Sequence, residues 1–273
     1  MTKRKAILQT IIYILVVLVV LLFFIPIYWI VITSFKSGSD VFDYRLFFKP
    51  ITDNYRNVLQ EASFQKYYLN SLIVAVISTL IAIGIGFGVS YGFSRFPISK
   101  KETLSFYILS MRMIPPIVVA IPFFLMFRSI GLYDSYLGLV LIYVAFNLPF
   151  VIWVLRGFID EVPIELEEAA MIDGCTRLRV LRHVTIPISF TGIIATAVLC
   201  FIFVWNEFFF ALILTGVNRR TVTVGVYNFI GFAEISWGQM CAASLLVSIP
   251  IIIFGIVVRK NLISGLTFGA LKE

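Results

Sequence analysis

The chain has 273 residues, 60% of them hydrophobic and 14% charged, with a mean hydropathy of +0.99 and a formal net charge of +7 at pH 7. A soluble domain of this length cannot cover so much apolar surface, so the composition excludes a water-soluble globular protein and points to a polytopic membrane protein. In a soluble protein the positive charge would suggest nucleic acid; here it lies between apolar runs, as the positive-inside rule expects, and no nucleic-acid partner is expected.

A helix needs about 20 apolar residues to cross the hydrocarbon core. Six segments meet that requirement, at roughly 11–33, 69–92, 104–127, 137–157, 188–214 and 240–258. They predict an all-α fold of six transmembrane helices in a single domain over 1–273. Its core would run over 68–260, with a loop at about 159–187 and a tail at 260–273. Lys3, Arg4 and Lys5 precede an uncharged run, Ile11 to Ile32, with no small-residue cleavage site after it, so the first span reads as uncleaved. An even number of spans puts both termini on one side. Thirteen lysines and arginines fall on that side, among them Lys3, Arg4, Lys5, Arg95, Lys100, Lys101 and Arg156, and seven on the other. The richer side is the cytoplasmic one.

The second span carries Gly84, Gly86 and Gly88, which permit close helix approach. The third contains Arg112, then Pro115, Pro116 and Pro122, which should kink it because each removes a helix hydrogen bond. The fourth places Asn147 before Pro149, and the fifth contains Trp205, Asn206 and Glu207. Ionisable groups at membrane depth are expensive and point to function. Arg112 and Glu207 therefore pair with each other, line a polar pathway, or hold helices together. Asn147 and Asn206 are candidate hydrogen-bonding groups, and Tyr143, Phe146, Phe150 and Trp205 candidate stacking faces. The outer segment 215–238, with Gly231, Phe232 and Glu234, either dips toward the membrane, meets an external partner, or is a plain aromatic interfacial loop.

Between the fourth and fifth spans lies a loop on the cytoplasmic side. Pro163 suits a helix start, and Ile164 to Ile172, including Glu168, Ala169 and Ala170, favours helix. Asp173 and Gly174 end it, and Thr176 is placed to cap a second short helix from Arg177 to about Val184, before Pro187 opens the fifth span. A bent helix pair between two spans makes a rigid knob at the membrane surface. His183 in this loop cannot build a metal site alone, and Cys175, Cys200 and Cys241 show neither metal-ligand spacing nor a disulfide pattern.

Glu168-Ala169-Ala170, three residues, Gly174, nine residues, then Val184-Thr185-Ile186-Pro187 resembles the signature loop of ABC importer permeases. Asn70-Ser71-Leu72, Tyr91-Gly92-Phe93-Ser94-Arg95-Phe96, Met113-Ile114-Pro115-Pro116, Gly131-Leu132-Tyr133-Asp134, Trp205-Asn206-Glu207-Phe208 and Gly265-Leu266-Thr267 narrow the likeness to carbohydrate permeases of the maltose-transporter type. Thr191 stands where that family often carries Pro, which implies a straighter entry to the fifth span.

The resemblance implies a type I importer permease fold and a division of labour. This chain would be half of the translocation pathway, beside a second permease subunit. Two ATPase subunits would bind ATP and Mg, and an extracytoplasmic binding protein would deliver the sugar. The setting would be a bacterial or archaeal inner membrane, with both termini cytoplasmic. Glu168, Ala169, Ala170, Asp173, Gly174, Arg177 and Pro187 would couple to the ATPase. Arg177, Arg179 and Arg182 would orient that contact or hold membrane lipid headgroups. The tail, with Gly265, Gly269 and Ala270, would reach the ATPase or end as a frayed terminus. Arg112, Asn147, Trp205, Asn206 and Glu207 are the candidate substrate pathway. The chain contains no G-x-x-x-x-G-K-[ST] loop, so it is expected to be a non-catalytic subunit without a cofactor of its own. The alternative is an ion-gradient-driven secondary transporter or channel, which needs a relay of buried carboxylates where only Glu207 lies deep in a span.

Overall fold

The computed structural model describes residues 3–43, 45, 48–230 and 235–267. In chain order the helices are α1 (Lys3–Ser34), α2 (Asp53–Gln60), α3 (Ala62–Arg95), α4 (Lys101–Ser110), α5 (Pro116–Ser129), α6 (Tyr136–Asp160), α7 (Ile164–Ile172), α8 (Arg177–Val180), α9 (Ile186–Ile188), α10 (Phe190–Trp205), α11 (Phe209–Leu214), α12 (Val222–Tyr227) and α13 (Trp237–Thr267). A 3-10 turn, Met111–Met113, follows α4, and a π turn, Leu181–Thr185, separates α8 from α9. Among the described residues, extended pairing is limited to one antiparallel bridge, Ile230 to Ile235. Four helices are long and apolar enough to cross a membrane, and two bent helix pairs raise the number to six if each is one span. The polytopic all-α architecture follows.

The chain divides into two compact units, one of residues 1–65 and 225–248, the other of residues 66–224 and 249–273. In the first unit, α1 runs for 32 residues, about 48 Å at 1.5 Å per residue. It is apolar on every side, and residues 9 to 28 are exposed along it, a combination that is stable in lipid or against another membrane helix. Its last carbonyls lack helical partners and find them in the following segment. The Asn54 amide donates to the Ser34 and Lys36 carbonyls, both at 2.9 Å. Buried Lys36 donates from Nζ to the Asp43 carbonyl at 2.6 Å and lies 4.9 Å from the Trp29 ring centroid.

In the second unit α6 is the buried helix, with α10 packed along it. Ser135 caps its start by accepting from the Gly138 N–H at 3.0 Å. The crossing with α3 depends on Gly86, because a Cβ there would meet Val151 Cγ1 at 2.5 Å. Ser90 Oγ seals the same crossing by donating to the Ile152 carbonyl at 2.9 Å. Gly84 and Gly88 face open space. Of the three glycines marked in the sequence, one makes the close approach within this chain.

At the end of α3 that carries Asn70, a polar knot gathers several loops. Asn70 Nδ2 donates to the Asn218 and Arg220 carbonyls at 3.1 and 2.9 Å, and its Oδ1 accepts from Tyr136 Oη at 2.7 Å. The Asp134 carboxylate accepts the backbone N–H groups of Gly216, Asn218 and Arg219 at 3.0, 3.3 and 2.9 Å.

Two predicted spans are interrupted. The segment 104–127 is α4, a 3-10 turn and α5, bent by 85°. The break falls at Ile114-Pro115, where the residue before a proline leaves the helical region. Pro122 lies inside α5 without ending it. The segment 188–214 ends one helix at Trp205 and starts another at Phe209. Its entry is bent by 76° between Ile188 and Phe190, although Thr191 is not proline. Of the outer segment, Gly231, Phe232 and Glu234 lie outside the described residues, as do Gly269 and Ala270 of the tail. The tail begins as a continuation of α13, which runs to Thr267.

Candidate functional site

The loop between α6 and α10 is built from α7, a turn, and α8 with its π turn. Gly174 closes α7 at φ 85°, the left-handed region open to glycine. Cys175 N–H donates to the Ala170 carbonyl and Gly174 N–H to the Met171 carbonyl, both at 3.0 Å. These two bonds are a Schellman motif, and they occupy carbonyls that the helix end leaves free. The second helix is shorter than the sequence predicts. It ends at Val180 and loosens into the π turn ahead of Pro187, which has no N–H to offer the His183 carbonyl. Thr176 sits at the N-cap but makes no side-chain cap bond, a departure from the expected cap.

The loop exposes both large apolar and charged side chains. Ile172 is 87% exposed and Leu178 75%. Glu168, Ala169, Asp173, Arg177, Arg179 and Pro187 are exposed in the same loop, and Ala170 is half-buried. Arg177 leans back over the Phe96 ring, 4.9 Å from its centroid. Exposed apolar side chains among charged ones suit a protein-contact surface.

Beneath this surface lies a residue that the sequence reasoning missed. Glu167, 2% exposed, accepts from Arg95 Nε at 3.0 Å, Thr185 Oγ1 at 2.8 Å and Tyr91 Oη at 3.1 Å. Arg95 Nη2 also donates to the Ile159 and Val162 carbonyls at 3.0 and 2.8 Å. Four segments thus meet at one buried ion pair: α3, the end of α6, α7 and the π turn. The signal available in sequence was weak. Adjacent residues on a helix point about 100° apart, so Glu167 and Glu168 need not share an environment.

A second polar cluster lies among α6, α10, α11 and the turn after α4. A cavity of about 220 Å³ is lined by Arg112, Tyr143, Asn147, Glu207 and the rings of Phe146, Phe203 and Phe210, among others. Arg112 Nη1 donates to the Phe146 carbonyl and to Asn147 Oδ1, each at 3.2 Å, and its guanidinium lies 4.5 Å from the Phe203 ring centroid. The Asn147 amide donates to the Tyr143 carbonyl at 2.8 Å. Glu207 accepts the backbone N–H groups of Phe210 and Ala211 at 2.9 and 3.1 Å, so it caps α11. Arg112 and Glu207 share the cavity without pairing. Trp205 is buried and packs on Phe201, 5.7 Å between ring centroids, and exposed Asn206 donates back to the Ile202 carbonyl at 2.8 Å. Neither lines the cavity. Among the described residues no His, Cys, Asp and Glu cluster is arranged to hold a metal ion.

The model of the family of binding-protein-dependent transport system inner membrane components matches residues 82–264. The chain is 35% identical to the trehalose transport system permease protein SugB of Mycobacterium tuberculosis, over 91% of this chain and 92% of that protein. It is 34% identical to the trehalose/maltose transport system permease protein MalG of Thermococcus litoralis, over 98% and 99% of the two chains. Its fold matches that of a chain in the crystal structure of a bacterial ABC transporter involved in import of the acidic polysaccharide alginate. The TM-score is 0.80 at 24% identity, covering 95% of this chain and 98% of that one.

Proposed function

The chain belongs to the family of binding-protein-dependent transport system inner membrane components, and from that premise we propose that it carries sugar, as half of the pathway of an ATP-driven importer. Similarity to permeases of trehalose and maltose systems over nearly the whole chain supports the sugar. The observation that carries the coupling role is the exposed Ile172–Leu178 surface, held on a loop whose base is a buried ion pair. An ATPase subunit docks on that surface, in the cytoplasm, where the excess of lysine and arginine also places both termini. ATP and Mg bind in the ATPase, and this chain contributes no catalytic group. A second permease completes the pathway, and an extracytoplasmic binding protein delivers the cargo.

The cavity around Arg112 is the sugar contact of this subunit. It combines aromatic faces with an amide, a guanidinium, a carboxylate and the buried Tyr143 hydroxyl beside Glu207. The gradient-driven alternative finds no support here, since Glu207 caps α11 and no second carboxylate is among the lining residues of the cavity to form a relay.

The test is purification of the tagged chain from native membranes under mild detergent, followed by reconstitution. An ATPase and a second permease should accompany it, and trehalose or maltose uptake should require ATP. Arg112→Ala should keep the ATPase bound while raising the sugar concentration needed for half-maximal uptake. Purification without any ATPase, or uptake driven by an ion gradient alone, overturns the importer reading. An unchanged half-maximal concentration overturns the cavity.

A further inference from the structure

The two adjacent glutamates of α7 differ in burial, Glu168 at the surface and Glu167 in the interior. We propose that Glu167 is the positioning residue that makes the ATPase-docking loop and α3 move as one piece, so that a displacement of the loop reaches the opposite membrane face. The inference rests on the importer reading and adds to it a route through this chain.

Helix α7 has almost no apolar grip. Ile164, Leu166, Met171 and Ile172 are all exposed, and Glu167 is the helix's one buried side chain. What holds α7 is therefore directional: three donors on one carboxylate, two of them from the last turns of α3. Apolar contacts slide at little cost, whereas a buried ion pair with fixed hydrogen bonds resists displacement of either partner. Arg95 extends the same node to the Ile159 and Val162 carbonyls, and Thr185 ties in the π turn that leads to α10.

Helix α3 can carry the displacement onward. It runs unbroken for 34 residues, whereas the segments at 104–127 and 188–214 are interrupted. Its far end is pinned in turn. Asn70 bonds the Asn218 and Arg220 carbonyls and accepts from Tyr136, and Ser71 Oγ accepts the Val222 N–H at 2.7 Å. Loop, helix and far-side segment form one continuous polar-pinned path, a contiguous route of the kind that carries coupling between distant sites.

The experiment compares Glu167→Gln, Arg95→Gln and the double variant in the reconstituted complex with its ATPase, second permease and binding protein. Sugar moved per ATP hydrolysed is the readout, since a merely structural defect lowers both quantities together. The expected result is an ATPase that stays bound and active while sugar per ATP falls about fivefold in each single variant. The double variant should be no worse than either single one, because both remove the same interaction. Uptake and hydrolysis falling in proportion, loss of the ATPase, or additive losses in the double variant each overturn the proposal. If Glu167→Gln does not accumulate, Thr185→Val removes one donor and spares the ion pair. A smaller fall in sugar per ATP supports the proposal, and an unchanged ratio overturns it.

Discussion

Gly174 shows how one residue's conformation sets the form of the loop. Its φ of 85° lies in the left-handed region, where a residue with a Cβ costs about 1–2 kcal/mol. Nothing lies within 4 Å of the position its Cβ would take, so conformation rather than volume decides what is tolerated within this chain. Asn enters that region more readily than other non-glycine residues. Gly174→Asn should therefore keep more sugar uptake than Gly174→Ala, although Asn is larger, when both are compared at equal membrane levels. The opposite order would mean that space at the ATPase contact governs this position. Gly174 was legible in the sequence because it ends a run of helix formers. Glu167 was not, because the inward turn of one glutamate over its neighbour depends on Arg95, which lies 72 residues away.

At the level of elements, apolar length located the spans and could not show their breaks. The second and fourth predicted spans fall inside α3 and α6, which run on as unbroken helices, α6 with Pro149 inside it. The break at Pro115 was legible because proline carries its own steric rule. The break at Asn206–Phe208 was not. There, polar side chains that look like pathway groups in the sequence instead take up backbone, Asn206 toward Ile202 and Glu207 toward Phe210 and Ala211. Side chains inserted into a helical ladder interrupt it. Close packing is equally local. Gly86→Val would force a branched side chain into Val151, an overpacking cost of about 1–3 kcal/mol. Gly84→Val and Gly88→Val meet no neighbour within this chain. Thermal unfolding of the purified complex in detergent should show a lower midpoint for Gly86→Val than for the other two. Equal midpoints would mean that α3 and α6 do not meet at Gly86.

At the scale of the whole molecule, sidedness ties the parts together. The charge asymmetry predicts a cytoplasmic loop at Glu168, and the docking role proposed for that loop requires the same side. The chain carries a native reporter of this arrangement. Cys175 is half-buried beside Gly174 in the proposed docking loop, whereas Cys200 and Cys241 are buried, and all three are free thiols. A membrane-impermeant maleimide should react with Cys175 in inside-out vesicles stripped of peripheral ATPase, and the reaction should vanish in Cys175→Ser. Sealed cells whose outer surface alone meets the reagent should give no labelling. Adding back the ATPase should slow the reaction if it covers the exposed Ile172 and Leu178, as proposed. Labelling from outside would invert the chain in the membrane and remove the ATPase from reach of the loop. Labelling from inside that the ATPase leaves unchanged would keep the orientation and move the docking site elsewhere on the same face.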